Sequence, residues 1–421
     1  MTRQIVVVGG GAAGMMAAGR AAQCGGVVLL LEKTPRLGNK LRLTGKGRCN
    51  LTNYSELDEF VAHFQQGRFL YRAFSRFFVH DLITFFEERG VPTVVERGQR
   101  VFPASNNALQ VVDALEGYVK TNGVQVRRNS PVTNLLVEDG RITGVQTRSG
   151  KVLASAVVLA TGGCSYPKTG STGDGYQFAS EVGHRIVPTR PALVPLVTKE
   201  KWVLALQGLT LYNTKVTLLL DGVAIGQDQG EVLFTHFGVS GPTVLTLSKT
   251  AVDALGRGRV MLSINLKPVV SADDLDHRLQ RELEARGRAQ VDNILGSFLP
   301  PKLIPVFVSL AGLSPSRLGN QVTADERKRI VTLMQDLRAT ITGSRPIDEA
   351  IVTAGGVDTR EVEPRTMQSR LVKGLYLCGE VLDIDADTGG YNLQAAFSTG
   401  HLAGESAAQA TAIPESETLH G

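Results

Sequence analysis

The 421-residue sequence has few cysteines, and they form no recognisable metal or disulfide pattern. Cys24, Cys49, Cys164 and Cys378 are far apart, without a CxxC pair, which argues against a zinc site and against a disulfide framework. No apolar run approaches the roughly 20 residues that a bilayer-spanning helix needs. These absences exclude a disulfide-rich or membrane-spanning class and favour a cytoplasmic protein with reduced thiols.

A strong charge bias is also missing. Lys and Arg number 45 against 40 Asp and Glu, a net charge of +5, which suits solubility or anionic substrates but does not require a nucleic-acid partner. Hydrophobic residues make up 43% and charged residues 20% of the chain, as expected for a folded globular protein. A chain of this length exceeds the usual size of one core, so two or three domains are expected.

The amino-terminal residues are typical of a βαβ unit. Gln4–Val8 is a β-branched apolar run that ends in glycines, residues 12–24 favour a helix, and Val27–Leu31 resumes a strand. Both strands are continuously apolar rather than alternating, which predicts a parallel sheet covered on both faces.

A GxGxxG motif, GGGAAG at residues 9–14, occupies the turn between this strand and helix, and Glu32 ends the second strand. Its first glycine, Gly9, permits the tight turn. Gly11 lets a pyrophosphate approach the backbone and Gly14 lets helix and strand pack closely. Glu32 is placed to accept hydrogen bonds from ribose hydroxyls. The motif predicts dinucleotide binding but does not distinguish NAD from FAD, which share an ADP-ribose half.

The rest of the chain favours FAD. Apolar runs at 132–137, 142–147 and 152–159 predict a β-meander that leads into ATGG at 160–163, and a late strand ends in Cys378-Gly379-Glu380. This order resembles the glutathione-reductase type of FAD domain. No second GxGxxG is present, so a nicotinamide donor is expected to bind transiently over the flavin.

The sequence predicts an α/β protein whose Rossmann-type FAD domain is split by an insertion. We expect the FAD domain at 1–190 and 346–421, an inserted β-rich domain at 191–270 and an inserted helical subdomain at 271–345. Aromatic spacing predicts one amphipathic helix over 71–89. A capping box at Thr323 predicts another helix, with one apolar face. That face comprises Ile330, Leu333, Met334, Leu337 and Ile341.

Four segments resemble one flavoprotein family, that of the aminoacetone oxidases and bile-acid-precursor reductases, one branch of which is similar to a ribosomal RNA dihydrouridine synthase. They are TGKGRCNLTN at 44–53, TGSTGDGY at 169–176, LFTHFGVSGP at 233–242 and GGYNLQ at 389–394. The resemblance runs from the first strand to about Gly404. It implies an FAD-dependent oxidoreductase and fixes the cofactor better than the substrate.

The resemblance implies that Lys40 and the loop at 44–50 lie along the FAD, with Arg48 near its phosphate or flavin end. It implies that Glu380 meets the ribityl chain, and that helix amides after Gly390 face the flavin N1 and O2 edge, unless Asn392 merely caps that helix. The complete expected FAD-binding set is Gly9, Gly11, Ala12, Ala13, Gly14, Glu32, Lys33, Lys40, Thr44, Gly45, Gly47, Arg48, Cys49, Asn50, Val132, Thr161, Gly162, Gly379, Glu380, Asn392, Leu393 and Gln394.

Candidates for catalysis are fewer. His236 in the insertion is a candidate proton donor, because histidine is the usual side chain for proton transfer in enzymes, although a lone histidine is more often structural. Cys49 and Cys164 are candidate thiols, although a small buried thiol is the commoner case. Ser165, Thr169 and Ser171 either shape a substrate pocket or form turns.

Three hypotheses follow for function. The first is hydride transfer from NAD(P)H, or from the substrate itself, through flavin N5 to a small organic molecule or oxygen. The second is an RNA-modifying flavoenzyme in which the basic insertion grips phosphates while a uridine ring is reduced. The third is a flavin-binding regulatory protein without turnover. We favour an enzyme acting on a small molecule.

Overall fold

A computed structural model describes residues 4–412. In chain order its strands are β1 (Gln4–Val8), β2 (Val27–Leu31), β3 (Thr52–Asn53), β4 (Thr93–Glu96), β5 (Arg100–Pro103), β6 (Gln125–Arg127), β7 (Val132–Glu138), β8 (Arg141–Thr147), β9 (Gly150–Leu153), β10 (Ala156–Leu159), β11 (Ile186–Ala192), β12 (Leu196–Thr198), β13 (Thr210–Leu220), β14 (Val223–Phe234), β15 (Gly238–Ser240), β16 (Val260–Asn265), β17 (Leu337–Ser344), β18 (Val352–Val357), β19 (Val362–Glu363), β20 (Gln368–Ser369) and β21 (Leu375–Leu377).

The α-helices, in the same order, are α1 (Ala12–Gln23), α2 (Leu57–Ala62), α3 (Gly67–Arg76), α4 (Val79–Glu87), α5 (Ala108–Thr121), α6 (Asp174–Glu181), α7 (Lys201–Ala205), α8 (Pro242–Ala254), α9 (Ala272–Ala285), α10 (Val291–Leu295), α11 (Ile304–Leu310), α12 (Ala324–Gln335) and α13 (Tyr391–Thr411). Short 3₁₀ segments include Pro167–Thr169 and Gly379–Val381, and Leu41–Gly47 contains 3₁₀ turns interrupted by a non-helical kink at 44–46. Among the described residues, none of the helices combines the length and apolar composition of a bilayer-spanning segment.

The chain forms two compact units. The first comprises the described residues of Met1–Arg190 and Ile347–Gly421, and the second comprises Pro191–Pro346. The first unit is built on a seven-stranded sheet of order β19-β20-β21-β10-β1-β2-β6. Its strands from β21 to β6 run parallel. The last four residues of β1 and of β2 are buried, as continuous apolar strands covered on both faces should be.

Helices α1 and α13 lie against each other beside this sheet. Gly400 and Gly404 of α13 face the α1 backbone so closely that a Cβ at either position would lie against the carbonyl oxygens of Ala13 and Ala17, well inside van der Waals contact. The absence of side chains at these two glycines allows the helices to approach closely, with the first turn of α1 beside the middle of α13.

Two predicted elements of the first unit were wrong in extent. Residues 71–89 form two helices, α3 and α4, because Phe77 is extended (φ −158°, ψ 101°) and the Phe78 amide donates to the Asp81 side chain at 2.8 Å, which starts a new helix. The run 152–159 is divided between β9, which completes the β7-β8-β9 meander, and β10, which joins the central sheet. In both segments the apolar residues continue on either side of the break, so the sequence pattern does not reveal where one element ends and the next begins.

The second unit contains a closed barrel of order β12-β15-β14-β13-β16-β17. Its core also includes residues of the helices, among them Leu279 and Ile330. The predicted capping box at Thr323 is confirmed, since its side chain accepts from the Glu326 amide at 3.2 Å. The assignment of Leu337 and Ile341 to that helix was wrong, because the helix ends at Gln335 and both residues lie in β17.

Candidate active site

The glycine motif and two other predicted segments meet at one edge of the central sheet. The GxGxxG turn follows β1, Thr161-Gly162 follows β10, and Gly379 follows β21. These strands are parallel neighbours in the sheet, so their carboxyl ends share an edge. In open α/β sheets, ligands bind in the crevice outside this edge.

The glycines of the turn have distinct physical roles. Gly9 has φ 104°, and a Cβ there would lie 2.5 Å from the Ala160 carbonyl oxygen. A Cβ on Gly14 would overlap the Gly9 carbonyl, so these two positions permit the turn and its contact with α1. A Cβ on Gly11 would meet nothing within 4 Å. Gly11 is the N-cap of α1, whose first turn carries no acidic residue, so an anion fits against the helix amino terminus there.

Glu32 lies beside this turn. Its carboxylate accepts hydrogen bonds from the amides of Gly10 and Thr34, each at 2.7 Å. The segment before β7, which begins at Val132, is also adjacent, because the Ser130 amide donates to the Glu32 carbonyl at 2.9 Å. The two amides fix the Glu32 carboxylate next to the glycines, as a ribose-binding acid requires, and the ribose contact itself stays a prediction.

The loop at 44–50 has an unusual backbone. Gly45, Lys46, Gly47 and Cys49 all have left-handed conformations, with φ between 56° and 86°. Arg48 lies in the right-handed region between two of them. The loop is folded on itself, since the Arg48 amide donates to the Gly45 carbonyl at 3.3 Å and the Cys49 amide donates to the Thr44 carbonyl at 3.0 Å.

Two buried polar atoms near these segments have no hydrogen-bond partner among the described residues. They are Asn50 Oδ1, at the end of the loop, and Thr161 Oγ1, after β10. A buried polar group without a partner is costly, so such groups are expected to be satisfied by something outside this chain. Together with the open space at Gly11, they fit a bound dinucleotide.

Lys40 and Glu380 form the charged centre of the site. Lys40 Nζ lies 2.7 Å from Glu380 Oε2 and donates to the Ser165 hydroxyl at 2.7 Å. Glu380 also accepts from the Thr353 amide at 2.9 Å. Residues more than 300 positions apart are thereby joined. Ser165 and Thr353 were not predicted as partners of this pair, because nothing in their local sequence indicates it.

The Gly-rich segment at 163–174 lies over the segment at 33–40. Lys33 forms an ion pair with Asp174 at 2.6 Å and donates to Thr172, and Asn39 donates to the Thr169 carbonyl at 3.5 Å. The pKa of Asp174 is lowered from its ordinary value, since hydrogen bonds and the charge of Lys33 outweigh its partial burial. The predicted turn residues therefore border the nucleotide segment.

Three side chains expected to contact the cofactor have partners within the protein. Arg48 pairs with Glu96 and stacks on Phe102, 4.2 Å from the ring centroid. Gln394 is fully buried and donates to the Ser398 hydroxyl at 3.0 Å. These contacts hold both side chains within the protein, and their contact with the cofactor stays a prediction.

Asn392 is the third of the expected cofactor contacts whose side chain has partners within the protein. Its amide group accepts from the Ala386 N–H and donates to the Ala386 carbonyl, both at 2.9 Å. It thus holds the loop before α13 rather than capping the helix, whose N-cap is Gly390. Leu393 follows it in the first turn, where no acidic residue occurs. The first backbone amides of α13 remain candidates for the flavin edge.

The catalytic candidates fare differently. Cys49 is fully buried, and burial raises the pKa of its thiol to about 12, which argues against a reactive thiolate at this position. Cys164 lies with its Sγ 3.8 Å from Thr353 Oγ1. His236 belongs to the second unit, between β14 and β15, with its ring edge-on to Phe237. Catalytic roles for Cys164 and His236 stay predictions.

One further pair was missed by sequence reasoning. His63 Nδ1 lies 3.0 Å from Asp387 Oδ2, although 324 residues separate them. The His63 ring stacks on Tyr391, the first residue of α13, with centroids 4.0 Å apart. Asp387 lies two residues before the start of the GGYNLQ motif, which is a weak sequence signal, and His63 has none.

Comparison with known proteins identifies the family. The family model described as "HI0933-like protein Rossmann domain" matches residues 3–406. The chain belongs to this family. It is 32% identical over 387 residues to a 3-dehydro-bile acid delta(4,6)-reductase of Clostridium scindens, covering 91% of this chain and 93% of that protein. It is also 32% identical over 380 residues to a ribosomal RNA dihydrouridine synthase of Escherichia coli, covering 90% and 91%.

A solved structure supports the fold. The chain is similar to 3-ketosteroid delta1-dehydrogenase from Sterolibacterium denitrificans, with a TM-score of 0.53 and 14% identity, over 97% of this chain and 100% of that one. The predicted family and the Rossmann-type FAD domain with an insertion are therefore confirmed. This HI0933-like protein is an FAD-dependent oxidoreductase, and its glycine turn, unpartnered buried atoms and acid-free helix amino termini fit FAD.

Proposed function

We propose that the protein is an NAD(P)H-linked reductase of a carbon–carbon double bond conjugated to a carbonyl group, in a small organic substrate. The observation that carries the proposal is the shared chemistry of two relatives that match almost the whole chain. One is named a delta(4,6)-reductase and the other a dihydrouridine synthase. Each name denotes the addition of two hydrogens to a ring double bond.

The residues of the first unit supply what such a reaction needs from the protein. When bound, FAD provides hydride transfer at its N5 atom. The α1 amino terminus and Gly11 would hold its pyrophosphate, Glu32 its adenosine ribose, and Glu380, paired with Lys40, its ribityl chain. The first amides of α13 would stabilise negative charge at the N1 and O2 edge.

The electron donor is proposed to be NADH or NADPH bound transiently, since one GxGxxG motif occurs and the FAD takes it. We also propose a cytoplasmic location, because the spacing of the four cysteines suits reduced thiols. Oxygen is the alternative electron acceptor. An oxidase would reduce oxygen at the expense of an amine or hydroxy compound and would leave an enone unchanged.

A second candidate is reduction of uridine in ribosomal RNA. The observation that favours it is the uneven charge of the chain, because Pro191–Pro346 carries 18 Lys and Arg against 14 Asp and Glu. This excess of four accounts for most of the net charge of +5. A basic inserted unit suits contact with phosphates, but the excess is small, so the small-molecule substrate is preferred.

Product analysis tests both candidates. Purified protein is incubated without oxygen with NADPH or NADH and 4-androstene-3,17-dione, a conjugated enone, and the product is examined by mass spectrometry. The proposal expects a product two hydrogens heavier, with one NAD(P)H consumed per product. Ribosomal RNA from a deletion strain is compared with wild type for dihydrouridine. Loss of dihydrouridine from the deletion strain, without enone reduction, would favour RNA as the substrate.

A further inference from the structure

His63 and Asp387 form an oriented pair in the first unit. His63 Nδ1 is 3.0 Å from Asp387 Oδ2, within hydrogen-bond distance. Within residues 4–412, no partner is recorded for the other ring nitrogen, Nε2, and the His63 side chain is 31% exposed. A histidine held by a carboxylate at one nitrogen, with the other free and accessible, is the arrangement of a general acid or base.

The pair is rigidly supported. Asn392 binds both backbone groups of Ala386 at 2.9 Å and donates to the Asp387 carbonyl at 3.2 Å. The His63 ring lies nearly parallel to that of Tyr391, at an interplanar angle of 19°. The acid is therefore held by its own loop and the imidazole by a stacked ring. Such support restricts the direction in which Nε2 points.

The pair borders the segments assigned to the flavin. Asp387 and Tyr391 flank the two glycines before α13, and the Asn53 side chain donates to the Gly389 carbonyl at 3.4 Å. A Cβ on Gly390 would overlap the Thr52 carbonyl. The family motifs at 44–53 and 389–394 are thus adjacent, with His63 and Asp387 at their border.

His184, another histidine of the first unit, differs from His63 in the hydrogen bonds of its ring nitrogens and is an example of a structural histidine. His184 has both ring nitrogens engaged, at 3.1 Å from Glu361 and 2.7 Å from Ser369, and its side chain is inaccessible. Ser369 also accepts the amides of Leu371 and Val372, so its own proton is directed to His184. That network is closed, whereas the His63 ring has a free nitrogen.

We propose that His63, oriented by Asp387, delivers the proton that completes reduction of the conjugated double bond; this rests on the proposed function. Hydride derived from NAD(P)H adds to the β-carbon, and the π electrons move toward the α-carbon and its carbonyl. The Nε2–H bond of protonated His63 breaks as a C–H bond forms at the α-carbon. Neutral His63 keeps its Nδ1 proton toward Asp387 and regains the other proton from water.

The orientation is tested without turnover. The flavin-loaded protein is labelled with ¹⁵N-histidine, and the imidazole signals are recorded at alkaline pH, with His63→Gln identifying the His63 signal. We expect neutral His63 to carry its proton on Nδ1. Asp387→Ala should shift the proton toward Nε2, whereas His80→Gln, at an exposed histidine of α4, should leave the His63 signal unchanged. If the His63 signal stays Nδ1-protonated and unchanged in Asp387→Ala, the proposed orientation of His63 by Asp387 is wrong.

Proton delivery is tested in a separate half-reaction. The flavin is reduced with dithionite, so NAD(P)H is not needed, and its reoxidation by 4-androstene-3,17-dione is followed without oxygen. His63→Gln should slow reoxidation by about 10²-fold or more with full flavin content, and added imidazole should restore part of the rate. His80→Gln should match wild type. His236→Asn is measured beside them, as the donor expected from sequence.

The outcomes separate the two proposals. A His63→Gln rate equal to wild type overturns proton delivery by His63, and a large loss in His236→Asn alone transfers that role to His236. If the wild-type protein is not reoxidised by the enone, the proposed function fails for that substrate class. The NMR result still decides whether the oriented pair exists.

Discussion

At the scale of residues, we predict that FAD binding needs the open space at Gly11. Gly11→Val would place a branched side chain in the open space before α1, where the pyrophosphate is expected, and the backbone of Gly11 (φ −82°) tolerates a β-branched residue. We expect the variant to fold and to purify without yellow colour. Flavin absorbance per mole of protein measures this.

The matched control for this change is Gly117→Val. Gly117 lies in α5, where a Cβ would likewise meet nothing within 4 Å, so a general effect of valine would appear there too. Full flavin content in Gly11→Val would contradict the placement of the pyrophosphate.

The backbone features of the site could be predicted from sequence, but the side-chain contacts could not. Glycines mark positive φ and close approach, so Gly9, Gly11 and Gly14 are informative by identity and spacing alone. The partners of Arg48 and Gln394 are set by tertiary packing, with Glu96 and Ser398 respectively. A glycine in a motif therefore indicates local backbone geometry, whereas a basic or amide side chain does not indicate its tertiary partner.

At the scale of elements, the close approach of α13 to α1 depends on glycines. Gly404→Ala would drive a methyl group into the Ala17 carbonyl. We expect a loss of about 1–3 kcal/mol in the free energy of unfolding, the usual cost of overpacking. Gly117→Ala in α5 is the control and should instead stabilise by up to about 1 kcal/mol, since its Cβ is unobstructed. The free energies of unfolding are measured with urea, and equal changes in Gly404→Ala and Gly117→Ala would contradict the close packing of α13 on α1.

The same helix pair predicts a pH dependence. Burial, with help from the charge of Arg20, lowers the pKa of His401 to about 4. In the unfolded chain His401 is expected to bind a proton at about pH 6.5, whereas in the folded chain it stays neutral until about pH 4. The free energy of unfolding therefore falls by up to about 3 kcal/mol as pH drops from about 6.5 to about 4.

This dependence is measured by urea unfolding at several pH values. Between these pH values, wild-type unfolding should be accompanied by binding of nearly one extra proton, and His401→Gln should abolish that binding. His80→Gln, at an exposed site, should leave it unchanged. An unchanged pH slope in His401→Gln would show that His401 titrates normally in the folded protein.

Element type followed from the sequence better than element boundaries did. The capping box at Thr323 located a helix start because its hydrogen bonds are local. The ends of that helix and of α3 were misjudged because the apolar spacing continues across both breaks. The periodicity reports which residues are buried, and burial continues from helix to strand at Leu337.

At the scale of the whole molecule, we predict that the FAD site requires both ends of the chain. β21, Glu380 and α13 follow the second unit in sequence, yet β21 pairs with β10 in the central sheet. A chain truncated after Arg190 lacks all three and should fail to retain FAD after purification.

The control removes the inserted unit instead. Arg345 donates its amide to the Pro195 carbonyl at 2.9 Å, so the two ends of the second unit are neighbours, and a short Gly-Ser linker can join residue 190 to residue 347. That shortened chain should retain FAD. Flavin retained as tightly by the truncated chain as by the full one would contradict a split site.

The central claim is that NAD(P)H reduces the bound flavin and a conjugated enone then reoxidises it. The most direct test is to mix the yellow protein with NADPH or NADH without oxygen while following flavin absorbance, and then to add 4-androstene-3,17-dione. The account predicts rapid bleaching by a nicotinamide and recovery of the colour on adding the enone. Bleaching by an amine or hydroxy compound alone, with colour recovered only by oxygen, would contradict it.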